Sequence, residues 1–180
     1  MLKAIHLLRQ TKMPFFNLPI DISDFSPGYI FTDILIGILG VIGTLMIHGT
    51  VVNRLLMRFD QSSIEHIENK KYNWVFVQFY LSFIRIALVH VFEIYVWGMY
   101  LAILGFLPNV VKAVLFAGSC YTTIGFVEDV LPYGRKSLAF YIALSGFFCL
   151  AWTTSAMIDM TQTYKAAWRK KYEGKKFFIL

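Results

Sequence analysis

Charge is scarce in this sequence. Of 180 residues only 16% are charged, against roughly 25% in a soluble globular domain, and 57% are hydrophobic, which excludes an ordinary water-soluble domain. Cysteine is nearly absent. Cys120 and Cys149 both lie in apolar runs, with no CxxC and no His/Cys metal spacing, so they read as two buried thiols behaving as small hydrophobes rather than as a disulfide or a metal motif. Neither a nucleophile–base pair nor a phosphate loop is evident, so no enzymatic activity and no cofactor are expected. The glycines of "IGILGVIGT" (Gly37, Gly40 and Gly43) follow no strand, and they read instead as a smooth helix-packing ridge. Regularly repeated arginines, the mark of a voltage sensor, are missing from every apolar run.

What the sequence has is long oily segments. A hydrocarbon core of about 30 Å takes about 20 helical residues to cross. Phe31 to Val52 satisfies this with only Asp33 charged, and Ser137 to Ile158 does so without charge. Trp74 to Leu107 is longer than needed, reaching roughly 51 Å as a helix, so it must tilt, kink or project into the cytoplasm. Gln78, Ser82 and Arg85 put a polar stripe on its early part. An all-α membrane protein with three transmembrane helices follows.

The net charge of +6 does not point to nucleic acid, because the basic residues gather at the ends of the spans, where Lys and Arg set orientation. Arg54, Arg58, Lys70 and Lys71 follow the first span, and Lys165, Arg169, Lys170, Lys171, Lys175 and Lys176 follow the last. These ends are expected in the cytoplasm, with the N-terminus outside. The opening "MLKAIHLLRQTK" has too short an apolar run for a signal peptide; it reads as an interfacial segment at the lipid surface or as a disordered tail.

Between the second and third spans lies "PNVVKAVLFAGSCYTTIGFVEDVLPYGRK". Pro108 can end the long helix, and Val110 to Tyr121 is too short to span but suits a re-entrant helix. Extended backbone after such a half-helix survives at membrane depth only where protein buries it or water bathes it. The C-terminal end of the half-helix also carries partial negative charge, which favours a cation.

This arrangement of outer helix, short helix, "TTIGF", acid and inner helix resembles the pore unit of potassium channels, whose filter reads T-V-G-Y-G followed by Asp. More narrowly, "HVFEIYVWGMYLAILGFLP" and "YIALSGFFCLAWTTSAM" on either side look like a family of small bacterial ion-channel-like proteins with one extra N-terminal span. The resemblance covers Trp74 to Asp159. It implies a homotetramer in the inner (plasma) membrane that passes potassium, with sodium also admitted if the filter discriminates weakly. The layout implied is an N-terminal segment over 1–30, an additional helix over 31–56, a basic linker over 57–73, a pore domain over 74–160 and a basic tail over 161–180.

By the same resemblance, Thr123, Ile124, Gly125, Phe126 and Val127 would coordinate cations, with Thr122 bracing the filter from behind. Glu128 and Asp129 would gather cations at the outer mouth, or are solvated loop acids. Either can align with the family's aspartate. Gly146 would be a gating hinge or a packing glycine. The sequence departs from the family at Val127, where the second filter glycine is expected: a β-branched residue does not suit the dihedrals glycine supplies. The outer rings should then be displaced and potassium selectivity weakened. A nonconducting channel-like scaffold or regulatory subunit is the alternative.

Ionisable groups inside the spans form the last signal. By residue count, Glu93 and His48 lie at matching depths, roughly 7 and 6 Å inside the inner boundary. Glu93 is expected to pair with His48 or with His90, three residues away on the same helical face, as an interhelical clamp or a proton sensor.

Overall fold

A computed structural model describes residues 27–125, 130–132 and 135–174. They form four helices: α1 (Pro27–Glu68), α2 (Tyr72–Ile103), α3 (Val110–Tyr121) and α4 (Ser137–Lys171). Three of these, α1, α2 and α4, are long and apolar enough to cross a membrane. Much of their apolar surface is exposed, as with Phe31, Leu35, Met46, Ile84, Leu88 and Phe147; such a surface suits lipid rather than water.

Helix α1 does not stop where the basic linker was expected. It runs for 42 residues, about 63 Å, and the segment read as a linker is helical through Glu68. The reason is a continuing buried face: Val52, Phe59 and Ser63 stay on the side that already carries Asp33, Thr44 and His48. Lys70, with φ 57, then closes α1 in a left-handed cap while the Lys71 amide bonds the His66 carbonyl at 2.8 Å. Gly105, with φ 73, closes α2 in the same manner, ahead of Pro108. Asn109 caps α3 by accepting from the Lys112 amide at 3.0 Å.

The two ends of the bundle are set by polar contacts. At one end buried Asp33 of α1 accepts from Arg135 at 2.5 Å and from Ser137 at 3.0 Å, and Arg135 lies over the Phe106 ring at 4.7 Å. At the other, Lys171 of α4 reaches Asn73 of α2 at 2.6 Å, amid the rings of Phe76, Tyr164, Trp168 and Tyr172.

Two apolar cores stack along the axis. The larger joins all four helices around Trp97, Phe116, Tyr121, Leu138 and Ile142, with Val41 and Leu45 of α1 packed against it; the smaller joins Phe59, Ile86 and Met160 in the long-helix stem. Aromatic rings seat on glycine. A Cβ at Gly37 would lie 2.3 Å from Tyr141, at Gly40 2.2 Å from Trp97, and at Gly49 2.7 Å from Trp152. A Cβ at Gly43 would meet nothing within 4 Å. The close approaches therefore fall at 37, 40 and 49 rather than 37, 40 and 43, and they do not form one ridge: Gly37 and Gly49 seat rings of α4, whereas Gly40 seats a ring of α2.

Candidate functional site

Between the two cores lies a polar layer built from all four helices. His48 Nδ1 meets Glu93 Oε1 at 2.9 Å. The Tyr121 hydroxyl, from the end of α3, donates to Glu93 Oε2 at 2.5 Å. His90 Nδ1 lies 2.9 Å from that hydroxyl and 3.5 Å from Glu93 Oε2. His90 Nε2 lies 3.0 Å from the Thr153 hydroxyl, which in turn lies 3.3 Å from His48 Nε2. The chain of contacts closes on itself: His48, Glu93, Tyr121, His90, Thr153 and back to His48.

Glu93 thus meets both histidines that the sequence offered, the tighter contact being with His48. Tyr121 and Thr153 are the members sequence reasoning missed. Tyr121 had a signal, a polar tip ending an otherwise apolar helix, which when buried must find a partner. Thr153 had none, since "AWTTSAM" offers several hydroxyls and only packing selects one. The layer is buried: His48 is 0% exposed and Glu93 1%, while the His90 side chain retains 15%. An uncompensated carboxylate at that depth would cost several kcal/mol, so this closed pattern is what permits Glu93 there.

Cys149 stands beside the ring. Ligand atoms of His48, Glu93 and Cys149 all lie within 4.8 Å of one another, a donor set that could hold a metal ion. His48 Nδ1 and Glu93 Oε1 already bond each other, and an ion between them would break the ring.

The ring grips the segment that follows α3. Tyr121 is buried, and its carbonyl oxygen would lie only 2.0 Å from a Cβ on Gly146 of α4. The following residues cap the other free carbonyls of α3: the Thr122 hydroxyl donates to Gly118 at 2.7 Å, the Thr123 amide to Cys120 at 2.9 Å and the Gly125 amide to Ser119 at 3.1 Å. Thr123 and Gly125 both have left-handed backbone, φ 59 and 67. For a threonine this costs roughly 1–2 kcal/mol. Thr122, Thr123, Ile124 and Gly125 are all exposed on the single chain. The remaining residues expected at the filter and mouth, Phe126, Val127, Glu128 and Asp129, lie outside the described residues. Gly146 lies inside α4 at the Tyr121 contact, a close approach that any side chain there would block.

Helix α3 runs back along α2: Val114 abuts Gly98, Ile94 lies beside Gly118, and Tyr121 reaches Glu93. Comparison with protein-family models, curated proteins and solved structures finds no match to this chain.

Proposed function

We propose that four copies of this chain form a cation pore resembling that of potassium channels, with the Thr122–Gly125 loop contributing to an axial filter. The observation that carries the reading is the left-handed backbone of Thr123, followed two residues later by that of Gly125. Strained backbone at a non-glycine residue persists where surrounding structure holds it, and it clusters at binding sites. In this reading the Thr123 and Gly125 amides are turned back onto α3 carbonyls, so the loop's own carbonyls can face a cation, as a column of coordinating carbonyls requires.

Two further features support this reading. The α3 segment travels antiparallel to α2 as far as Glu93, yet Arg135 is already back over Phe106 at the starting end. Such a path suits a re-entrant segment, whose polar loop would need water or protein around it at membrane depth. Ile124 is 69% exposed, a large apolar side chain beside a polar loop, and a neighbouring copy would cover it. The permeant ions of this proposal are potassium and, with weak discrimination, sodium. No cofactor takes part, and the partners are lipid and three further copies in a plasma membrane.

The deciding experiment is reconstitution of the purified chain in liposomes with flux of potassium, sodium and a large organic cation measured in parallel. Potassium and sodium flux with exclusion of the large cation is expected. An intact tetramer that passes none of the three would favour a nonconducting scaffold.

A further inference from the structure

The polar ring has a proton count that its geometry fixes. Five side chains make five edges, and each edge needs one proton between its two heavy atoms. Thr153, Tyr121 and two neutral imidazoles bring four. A glutamate carboxylate brings none, so one edge of the carboxylate form sets lone pair against lone pair, and the buried layer carries a net negative charge.

One added proton repairs both faults. With Glu93 as the neutral acid, every member donates once and accepts once, all in the same sense: His48 to Thr153, Thr153 to His90, His90 to Tyr121, Tyr121 to Glu93 and Glu93 to His48. That direction agrees with the Tyr121 hydroxyl donating to Glu93. Moving the proton from Glu93 to His48 gives a carboxylate–imidazolium pair, and shifting the Thr153 hydroxyl hands the charge to His90. Every one of these forms has five protons and no net charge, as a site between apolar cores requires.

We propose that this ring is a proton-binding site which takes one proton from water as the four helices assemble. The groups facing it from the packed elements are His48 of α1, His90 and Glu93 of α2, Tyr121 of α3, and Thr153 and Cys149 of α4. His90 is the ionisable member with appreciable exposure, its side chain retaining 15%. The proposal concerns folding and stands whether or not the loop conducts.

The sign of the pH dependence follows from counting protons in the folded and unfolded chain. Unfolded histidines titrate near about 6.5 and glutamate near about 4.3. Relative to a carboxylate and two neutral imidazoles, the folded ring holds one extra proton. The unfolded chain holds more than one well below about pH 6.5 and fewer than one well above it. Stability from the ring therefore peaks near about pH 6.5 and falls as pH rises further, approaching a tenfold loss in the folding equilibrium per pH unit while the folded ring keeps its proton.

Glu93→Gln separates this site from a plain structural clamp. The amide accepts from Tyr121 through oxygen and donates to His48 through nitrogen, closing the ring without a fifth proton. Unfolding of the full chain in mixed micelles, followed by tryptophan fluorescence across this range, is the measurement. Wild type should lose stability above about pH 7, whereas Glu93→Gln should hold a plateau there. A wild-type profile flat above about pH 6.5 would overturn the proposal whatever the variant does. So would equal alkaline slopes in the two proteins, or Glu93→Gln destabilised as much as Glu93→Ala near the optimum.

Discussion

The carbonyl oxygen of Tyr121 occupies space that a side chain at Gly146 would need, with an added Cβ only 2.0 Å away. The end of α3 is therefore seated directly on the backbone of α4, and the loop from Thr122 starts from a fixed point. Gly146→Ala should push α3 outward at about 1–3 kcal/mol, the usual cost of overpacking. The thermal midpoint of the purified protein reads this loss. An unchanged midpoint would return Gly146 to a purely hinge-like role.

Removing one hydroxyl tests how much the ring holds. Tyr121→Phe leaves Glu93 Oε2 and His90 Nδ1 short of a partner in a buried layer, and each unsatisfied group costs about 1–3 kcal/mol. Reversible unfolding in mixed micelles should show that loss. In a double-mutant cycle, Tyr121→Phe and Glu93→Ala should be less than additive, since each removes the same contact. Full additivity would mean that the two side chains do not share an interaction.

Glycine positions on α1 separate packing from mere small size. Gly40→Ala drives a methyl into the Trp97 ring, whereas Gly43→Ala meets nothing within 4 Å. The first should lower the thermal midpoint and disturb Trp97, whose indole donates to Ser145 at 2.9 Å. The second should be neutral or slightly stabilising, because alanine favours helix over glycine by roughly 0.8–1.0 kcal/mol. Equal effects would refute the assignment of faces.

Val127 bears on the proposed pore. A valine at a place suited to glycine dihedrals is expected to displace the outermost carbonyl ring, and fewer rings discriminate less well. Val127→Gly should then increase potassium selectivity or current, alone or with Glu128 deleted to restore the family's spacing to Asp129. Reversal potentials in mixed potassium and sodium solutions measure this, and strong potassium selectivity in the unmodified chain would show that valine is accommodated.

Assembly can be tested without conduction. In the proposed pore the exposed Ile124 and its loop meet neighbouring copies, so native mass measurement from mild detergent or nanodiscs should give a tetramer. A monomer or dimer under both conditions would leave the loop without an axis and defeat the pore proposal.

The sequence by itself determined the three long helices, because nearly continuous apolar runs such as Phe31 to Val52 can satisfy their backbone in lipid only as helices. It also marked His48, His90 and Glu93, since ionisable groups at that depth must find partners. Where α1 ends was not legible: Val52, Phe59 and Ser63 keep one buried face only because α2 and α4 extend alongside, which local charge around Arg54 and Arg58 does not reveal. Nor could spacing tell Gly43 from Gly49, because the seats are defined by rings on other helices. The tertiary structure alone decided that Tyr121 and Thr153 close a ring with Glu93 and the two histidines. Those five residues come from four helices far apart in sequence, and hydrogen bonds of about 3 Å depend on interhelical distance and rotation, which no residue pattern within one helix encodes.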